Sequence, residues 1–312
     1  MPEFEVATSS LLRRADALAR GFTDDELAAQ VRRGELVRVQ RGSYVHSPAG
    51  LPTDQALRHR LTVAATVGGL RIPGFVSHTS AAALHGLPLW NVRLARVHIL
   101  RRPPANGSGS ARVHLHIAKV PDDELVTLDD VLLTGVTRTV VDDARTEPFE
   151  SAVVLADAAL ASRRTTAQSL AACLTAMGRV PGTRRAARAL AFADGASESV
   201  GESRSRVLMH RLGLPAPHLQ LRVLRGDRSE AGRCDFGWPS VRTLGEFDGR
   251  VKYGRLLRPG QAAGDVVYEE KLREDELRDL RWQVVRWTWA DVSPGTVVAE
   301  RLRRAFARGT RS

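Results

Sequence analysis

The order of secondary-structure patterns in the last third of the chain is the feature that most constrains its fold. From residue 197 onward, helical and strand-like patterns follow one another as α-β-β-β-α-β, and a last helical pattern closes the chain. Acidic residues normally avoid strands, yet Asp235 lies in the second strand pattern and Glu246 with Asp248 in the third. This placement calls for a chemical explanation.

A hard divalent cation gives one. Mg²⁺ or Mn²⁺ prefers oxygen ligands and takes one or two carboxylates, so Asp235 and Glu246 on neighbouring strands suffice, with Asp248 as a further candidate ligand. Lysine occurs at only three positions in a chain rich in arginine. A lysine kept in such a chain indicates a position that needs a compact, titratable ammonium group, which the planar guanidinium of arginine does not provide. Lys252, or alternatively Lys271, is the candidate that would stabilise charge on a scissile phosphate.

The same residues also allow a structural interpretation. Asp248 and Gly249 are a turn-forming pair that predicts a hairpin. Asp235 and Glu246 are then strand-end carboxylates paired with arginines, and Lys271 is a charge on a helix surface.

The run "GESRSR…GLPAP…RCDFGWP…GEFDGRVKYG…EEKLRED…LRWQVVRWTW" resembles the PD-(D/E)XK nuclease superfamily, in particular its branch related to very-short-patch-repair endonucleases, over roughly residues 197 to 308. The resemblance implies a restriction-endonuclease-like αβββαβ core and metal-dependent hydrolysis of DNA phosphodiester bonds. It also implies that Asp235 and Glu246 bind the metal and that Glu202 is the acid of the first helix. The sequence departs from the family pattern at Asp248, where a lysine is expected.

The first 50 residues predict a winged helix-turn-helix. Helical spacing begins at Leu11 and ends before Gly21, and Thr23 with Glu26 forms a capping box at the start of a second helix. Residues 36–45 then alternate as a hairpin. Arginines cluster at the second helix's end and on the hairpin, where they can neutralise DNA phosphates, although protein docking is the alternative. These arginines are Arg32, Arg33, Arg38 and Arg41.

The run "LLRRADALARGFTDDELAAQVRRGELVRVQRGSYV", followed by "FVSHTSAAALHGLPL", is similar to the AbiEi family of type IV antitoxins. Members of this family carry a winged helix-turn-helix and repress their own operon. The resemblance implies DNA and a cognate toxin protein as partners, and no catalytic residue transfers from it.

Residues 51–195 predict an α+β middle domain with a linker helix, which divides the chain into 1–50, 51–195 and 196–312. His98, His114 and His116 lie in two strand patterns of this middle segment, and His78 with His85 lies in a helical one. No carboxylate or cysteine completes a ligand set near them, so we expect structural histidines and no metal there.

Composition narrows the function. A chain of 312 residues with 43% hydrophobic residues can bury several cores, and its net charge of +11 favours nucleic acid as a partner. The absence of a long apolar run and of a secretory signal predicts a cytoplasmic protein without a membrane partner. We therefore expect an α/β multidomain DNA-binding protein with a Mg²⁺-dependent endonuclease-like domain. The alternative is a non-catalytic transcriptional regulator or antitoxin-like repressor with a degenerate nuclease fold.

Overall fold

The computed structural model describes residues 11–46, 50–70, 74–105, 109–249, 263–293 and 295–310, with residues 263–270 described by their backbone only. The chain forms two compact units, Met1–Ala193 and Asp194–Ser312. The first unit contains both the predicted winged helix and the predicted middle domain. Within the described ranges, no helix has the length and apolar character needed to cross a membrane.

The first unit begins with a small three-stranded sheet and two helices. Its sheet has the order β1-β3-β2 with antiparallel pairing. The predicted capping box is confirmed, since the Thr23 hydroxyl accepts the Glu26 N–H and the Glu26 carboxylate accepts the Thr23 N–H. The elements are β1 Leu11–Arg13, α1 Arg14–Ala19, α2 Asp24–Arg32, β2 Leu36–Gln40 and β3 Ser43–His46.

The predicted start of the first helix is wrong. Leu11 to Arg13 form β1 and pair with β3, so that Leu11 lies opposite Val45 and Arg13 opposite Ser43. The apolar spacing of Leu11 and Leu12 suits a helix as well as a strand. Pairing with a strand about thirty residues later decides between the two, because tertiary interactions override local propensity.

The rest of the first unit is a five-stranded mixed sheet with helices. The sheet has the order β6-β5-β4-β8-β7, and its core contains Val63, Val76, Ile99 and Leu133. The elements up to β8 are α3 Gln55–Val67, β4 Phe75–Val76, α4 His78–Leu84, β5 Val97–Arg101, β6 Val113–Ile117, β7 Leu125–Leu128 and β8 Val131–Thr134. Four helices follow: α5 Val136–Thr146, α6 Phe149–Ala161, α7 Ala167–Ala176 and α8 Thr183–Phe192.

The strands β5 and β6 lie side by side and parallel. His98 is the register partner of His114, and Leu100 is the partner of His116. The helix α4 begins shortly after β4, and its first residue, His78, has a φ of +49°. This chain path brings histidines from three elements to one place.

The second unit is built on a four-stranded sheet of order β12-β11-β10-β9. The strand β10 pairs antiparallel with both β9 and β11. The strands β11 and β12, which a helix connects, pair parallel. The described elements follow the predicted α-β-β-β-α-β order, and the mixed α/β class of the chain is confirmed. They are α9 Val200–Arg211, β9 His218–Leu224, β10 Glu230–Trp238, β11 Thr243–Asp248, α10 Ala263–Asp279, β12 Gln283–Thr288, α11 Trp289–Val292 and α12 Thr296–Gly309.

Apolar residues cover both faces of this sheet. One core includes Phe236 and Trp287, and another includes Leu244 and Leu277. The helix α9 approaches β11 closely at Gly201, where an added Cβ would lie 1.9 Å from the Phe247 ring. Only glycine permits this approach, which sets Glu202 beside the sheet.

Candidate functional site

Glu246 lies on β11 and is largely buried, with 13% of its side chain exposed. Its Oε1 accepts a hydrogen bond from Nη2 of Arg273 at 2.6 Å, and its Oε2 accepts one from Nε of Arg286 at 2.8 Å. The thiol of Cys234 also points at Oε1, with an Sγ to Oε1 distance of 3.4 Å. Two guanidinium groups therefore offset the charge of this carboxylate.

Asp235 lies on β10, next to β11. The main-chain register between these strands runs from Trp238 opposite Thr243 to Phe236 opposite Gly245. Beyond that pair, Oδ2 of Asp235 accepts the Phe247 N–H at 2.8 Å. The Asp235 side chain therefore accepts a backbone N–H of β11 that a main-chain carbonyl of β10 would otherwise accept.

Glu202 is buried at the start of α9. Its Oε1 accepts the Ser199 hydroxyl at 2.7 Å, and its Oε2 accepts the Glu198 N–H and the Gln220 side-chain amide, each at 2.9 Å. The Glu202 N–H in turn donates to the Ser199 hydroxyl at 3.2 Å. These contacts close the helix start and tie it to β9, which is a structural task for this acid.

The structure describes one of the two lysine candidates. Lys271 is exposed on α10. Lys252 lies outside the described residues, and so does the second arm of the hairpin predicted at Asp248-Gly249. Arg273, two residues after Lys271, forms an ion pair with Glu246 from the same helix. Arg286 does so from β12 and also pairs with Glu274 at 3.2 Å.

Two of the candidate acids, Glu246 and Glu202, do not fit an open Mg²⁺ site in the described arrangement, because both oxygens of each already accept hydrogen bonds. Mg²⁺ demands near-ideal octahedral oxygen geometry, which a carboxylate held by two guanidinium groups does not offer. The contacts of Glu246 match the structural alternative stated from the sequence, in which this strand carboxylate pairs with arginines.

Burial changes the protonation chemistry beside Glu246. The pKa of the Cys234 thiol is raised to about 12, first by burial and then by the nearby negative charge of Glu246. The thiol is therefore neutral at physiological pH and is not a nucleophile. Burial lowers the pKa of the Arg273 guanidinium, but Glu246 more than compensates and raises it overall.

The arginines of the small first sheet are all exposed or half-buried, but they are not all available. Arg33 forms two hydrogen bonds with Glu35, from Nε at 2.6 Å and from Nη2 at 3.0 Å. Acids fill the first turn of α2, where Asp24 also pairs with Arg14. The basic part of this surface is therefore the end of α2 and the hairpin, with Arg32, Arg38 and Arg41.

Three histidines of the first unit come together, contrary to the expectation of isolated structural histidines. In His78, His98 and His116, one ring nitrogen per residue lies within 4.8 Å of the others. Among the described residues, this is the one group of three or more histidine, cysteine or acidic side chains with that proximity. His85 lies elsewhere, with Nε2 at 2.8 Å from the Thr134 carbonyl.

No protein-family model matches the chain. The chain is 29% identical over 297 residues to "Uncharacterized protein MT2308" and "Uncharacterized protein Rv2248", from two strains of Mycobacterium tuberculosis. Each alignment covers 92% of this chain and 100% of the relative. A crystal structure of the RV2827C protein from M. tuberculosis aligns with 72% of this chain and 88% of its own, at 16% identity and a TM-score of 0.38.

Sequence reasoning missed the residues that complete each site. Arg273 and Arg286 lie 27 and 40 positions after Glu246, in different elements. In an arginine-rich chain no local signal distinguishes them from surface arginines. His78 likewise stands in a helical pattern well before His98 in the sequence, and only the strand order brings the two rings close.

Proposed function

We propose that the protein is a DNA-binding regulator whose second unit has a nuclease-like strand order without nuclease activity. The observation that carries the proposal is the double ion pair of Glu246 with Arg273 and Arg286. A metal-dependent nuclease needs this carboxylate for its cation. Here the carboxylate instead joins β11 to α10 and β12, so it serves the fold.

The charge distribution supports DNA as the partner. The net charge is +11. Arg32 lies at the end of α2, Arg38 on β2 and Arg41 in the turn between β2 and β3. Phosphate contacts by such arginines supply most of the non-specific affinity for DNA. The acidic first turn of α2 repels phosphate, so we infer that the hairpin and the end of α2 approach the duplex rather than the start of that helix.

The test is fluorescence anisotropy with a labelled duplex from upstream of the protein's own coding sequence, against an unrelated duplex of equal length. We expect binding at low salt that weakens as salt rises. The double variant Arg38→Gln/Arg41→Gln should reduce the slope of log K against log salt by about 2, because two phosphate contacts are lost.

The matched control is Arg179→Gln/Arg184→Gln, which removes the same charge from exposed positions of the same unit. It should leave most of the affinity and slope intact. Absence of binding at low salt would refute the proposal, and so would an equal loss in the control. Tighter binding to the upstream duplex than to the unrelated one would support a repressor of the antitoxin type.

A metal-dependent DNA endonuclease is the second candidate, because Asp235 and Glu246 lie on neighbouring strands as the family resemblance implies. It predicts nicking of supercoiled plasmid with Mg²⁺ or Mn²⁺. That nicking should disappear in Asp235→Asn and Glu246→Gln but persist in Glu300→Gln, an exposed acid on α12. Our proposal predicts no nicking that depends on Asp235 or Glu246.

A further inference from the structure

The three clustered histidines of the first unit come from three different elements. His78 is the first residue of α4, His98 lies in β5, and His116 lies in β6. His78 and His98 are buried, with 3% and 8% of their surface exposed, whereas His116 is only partly buried. The exposed His114 lies beside them on β6, so the cluster has one side near solvent.

The distances suit a shared metal ion. Nε2 of His116 lies 3.1 Å from Nδ1 of His98. Two nitrogen ligands of a tetrahedral Zn²⁺, each about 2.0–2.1 Å from the ion, lie about 3.3 Å apart. The ligand atom of His78 is within 4.8 Å of both. The rings of His78 and His116 are stacked with centroids 3.7 Å apart, so one of them turns when three nitrogens surround one ion.

A neighbouring hydroxyl group orients one of the rings, since the Ser77 hydroxyl lies 3.0 Å from Nδ1 of His78. The Ser80 hydroxyl on α4 accepts the backbone N–H of His98 at 2.9 Å, which holds the main chain of β5 beside α4. Hydrogen bonds to the second ring nitrogen are typical of metal-binding histidines because they fix the tautomer. His78 also has a φ of +49°, a backbone conformation that costs energy for a residue other than glycine and that concentrates at functional sites.

The electrostatics permit a cation despite two nearby arginines. Arg138 donates to Asp142 at 2.8 Å and to Glu124 at 2.6 Å, and Arg145 donates to Asp142 at 3.0 Å. Two carboxylates therefore offset two guanidinium groups.

We propose that His78, His98 and His116 form a binding site for Zn²⁺ that ties the start of α4 to β5 and β6. Three neutral imidazoles select a borderline ion such as Zn²⁺ over Mg²⁺, which requires oxygen ligands. Three protein ligands leave a fourth coordination position, as in zinc sites that hold water or another small ligand. This site is independent of the DNA-binding proposal, since it uses none of the same residues.

The experiment uses the full-length chain, with any polyhistidine tag removed and metal stripped by a chelator. Isothermal titration with Zn²⁺ should give one ion per chain, and Co²⁺ in its place should give the strong visible absorption of a tetrahedral site. His98→Gln and His116→Gln should each weaken Zn²⁺ binding at least about 100-fold, because two imidazoles chelate far less well than three. His218→Gln, an exposed histidine of the second unit, is the control and should bind as the wild type does.

Zn²⁺ should also raise the thermal midpoint of the wild type and of His218→Gln but not of the two ligand variants, since a ligand that binds only the folded state stabilises it. Mg²⁺ should raise none of them. Each variant is first checked for a cooperative unfolding transition without metal. If the buried His98→Gln does not fold, the partly exposed His116→Gln decides the matter. Less than one Zn²⁺ per wild-type chain, or unchanged binding in a folded ligand variant, would overturn the site.

Discussion

In the second unit, both oxygens of Glu246 accept hydrogen bonds from guanidinium groups, and Glu202 accepts from a hydroxyl, a backbone N–H and an amide. In the first unit, neither oxygen of the buried Asp143 has a hydrogen-bond partner of normal geometry among the described residues. The difference separates polar groups that the fold has satisfied from groups that it has left costly.

A satisfied carboxylate and an unsatisfied one have opposite consequences. Removing Glu246 leaves the half-buried Arg273 without this counter-charge and leaves Arg286 paired with Glu274 alone, which destabilises the fold. A buried polar group without a partner instead lowers the stability of the wild type, and such groups mark positions where function or a bound species explains the cost. Glu246 and Glu202, which the sequence singled out for chemistry, thus belong to the first kind, and Asp143, which it passed over, belongs to the second.

The largest expected effect comes from Glu246→Gln. The substitution keeps the shape of the side chain but removes the charge between Arg273 and Arg286, whose side chains are 30% and 33% exposed. We expect the free energy of unfolding to fall by about 2–3 kcal/mol, somewhat less than for a fully buried pair because these arginines are partly solvated. Urea denaturation at neutral pH measures it.

The control is Glu300→Gln, which removes the same charge from an exposed position of α12 and should change stability little. A Glu246→Gln variant as stable as the wild type, or more stable, would mean that the ion pairs of Glu246 do not stabilise the fold. Catalytic carboxylates are commonly held at a cost to stability, so that outcome would favour the endonuclease over the regulator.

The sequence predicted the elements of both units better than their contacts. Thr23 and Glu26 were identified as a capping box because both partners lie within one helical turn. Asp235 and Glu246 were correctly placed on neighbouring strands, since the alternation and the turn residues between them are local. Leu11 was misplaced because its strand partner, Val45, is remote in the sequence.

The partners of the site residues could not be predicted for the same physical reason. Arg286 reaches Glu246 only because β12 pairs parallel with β11 after a helix, so that the two residues become register partners. The histidine cluster depends on the parallel register of β5 and β6, in which His116 lies next to Leu100. Spacing along the chain does not encode such registers, and with many arginines available it does not select a partner.

Asp143 provides the second test. Its pKa is raised well above 3.8, first by burial and then by repulsion from Glu147 and Asp142, while the backbone of Thr79 acts in the opposite direction. The folded state therefore favours the neutral acid. The contribution of Asp143 to stability is fully present below pH 3.8 and is lost as pH rises toward the folded-state pKa. The decline is at most about 1.4 kcal/mol per pH unit.

Asp143→Asn removes this dependence. We expect the variant to match the wild type near pH 4 and to exceed its free energy of unfolding by a margin that grows as pH rises to 7, measured by urea denaturation across that range. Asp123→Asn, at an exposed position of the same unit, should show no such trend. An advantage that does not grow with pH would mean that Asp143 is ionised and paired in the folded protein, which would remove it from the contrast with Glu246.

The smallest effect is expected at the start of α9. Ser199 accepts the Glu202 N–H and donates to the Glu202 carboxylate, so Ser199→Ala removes the cap and one of the contacts that hold the acid. The free energy of unfolding should fall by about 1 kcal/mol, the usual cost of losing an N-cap, whereas Ser240→Ala at an exposed position should be neutral.

If Ser199→Ala leaves the free energy of unfolding unchanged, Glu202 is not held as a capping residue, and its carboxylate is free for the metal-binding role that the nuclease resemblance implies. A loss near the expected value, unchanged by added Mg²⁺, instead assigns Glu202 to the structure of the helix start and places it with Glu246 among the satisfied acids of the second unit.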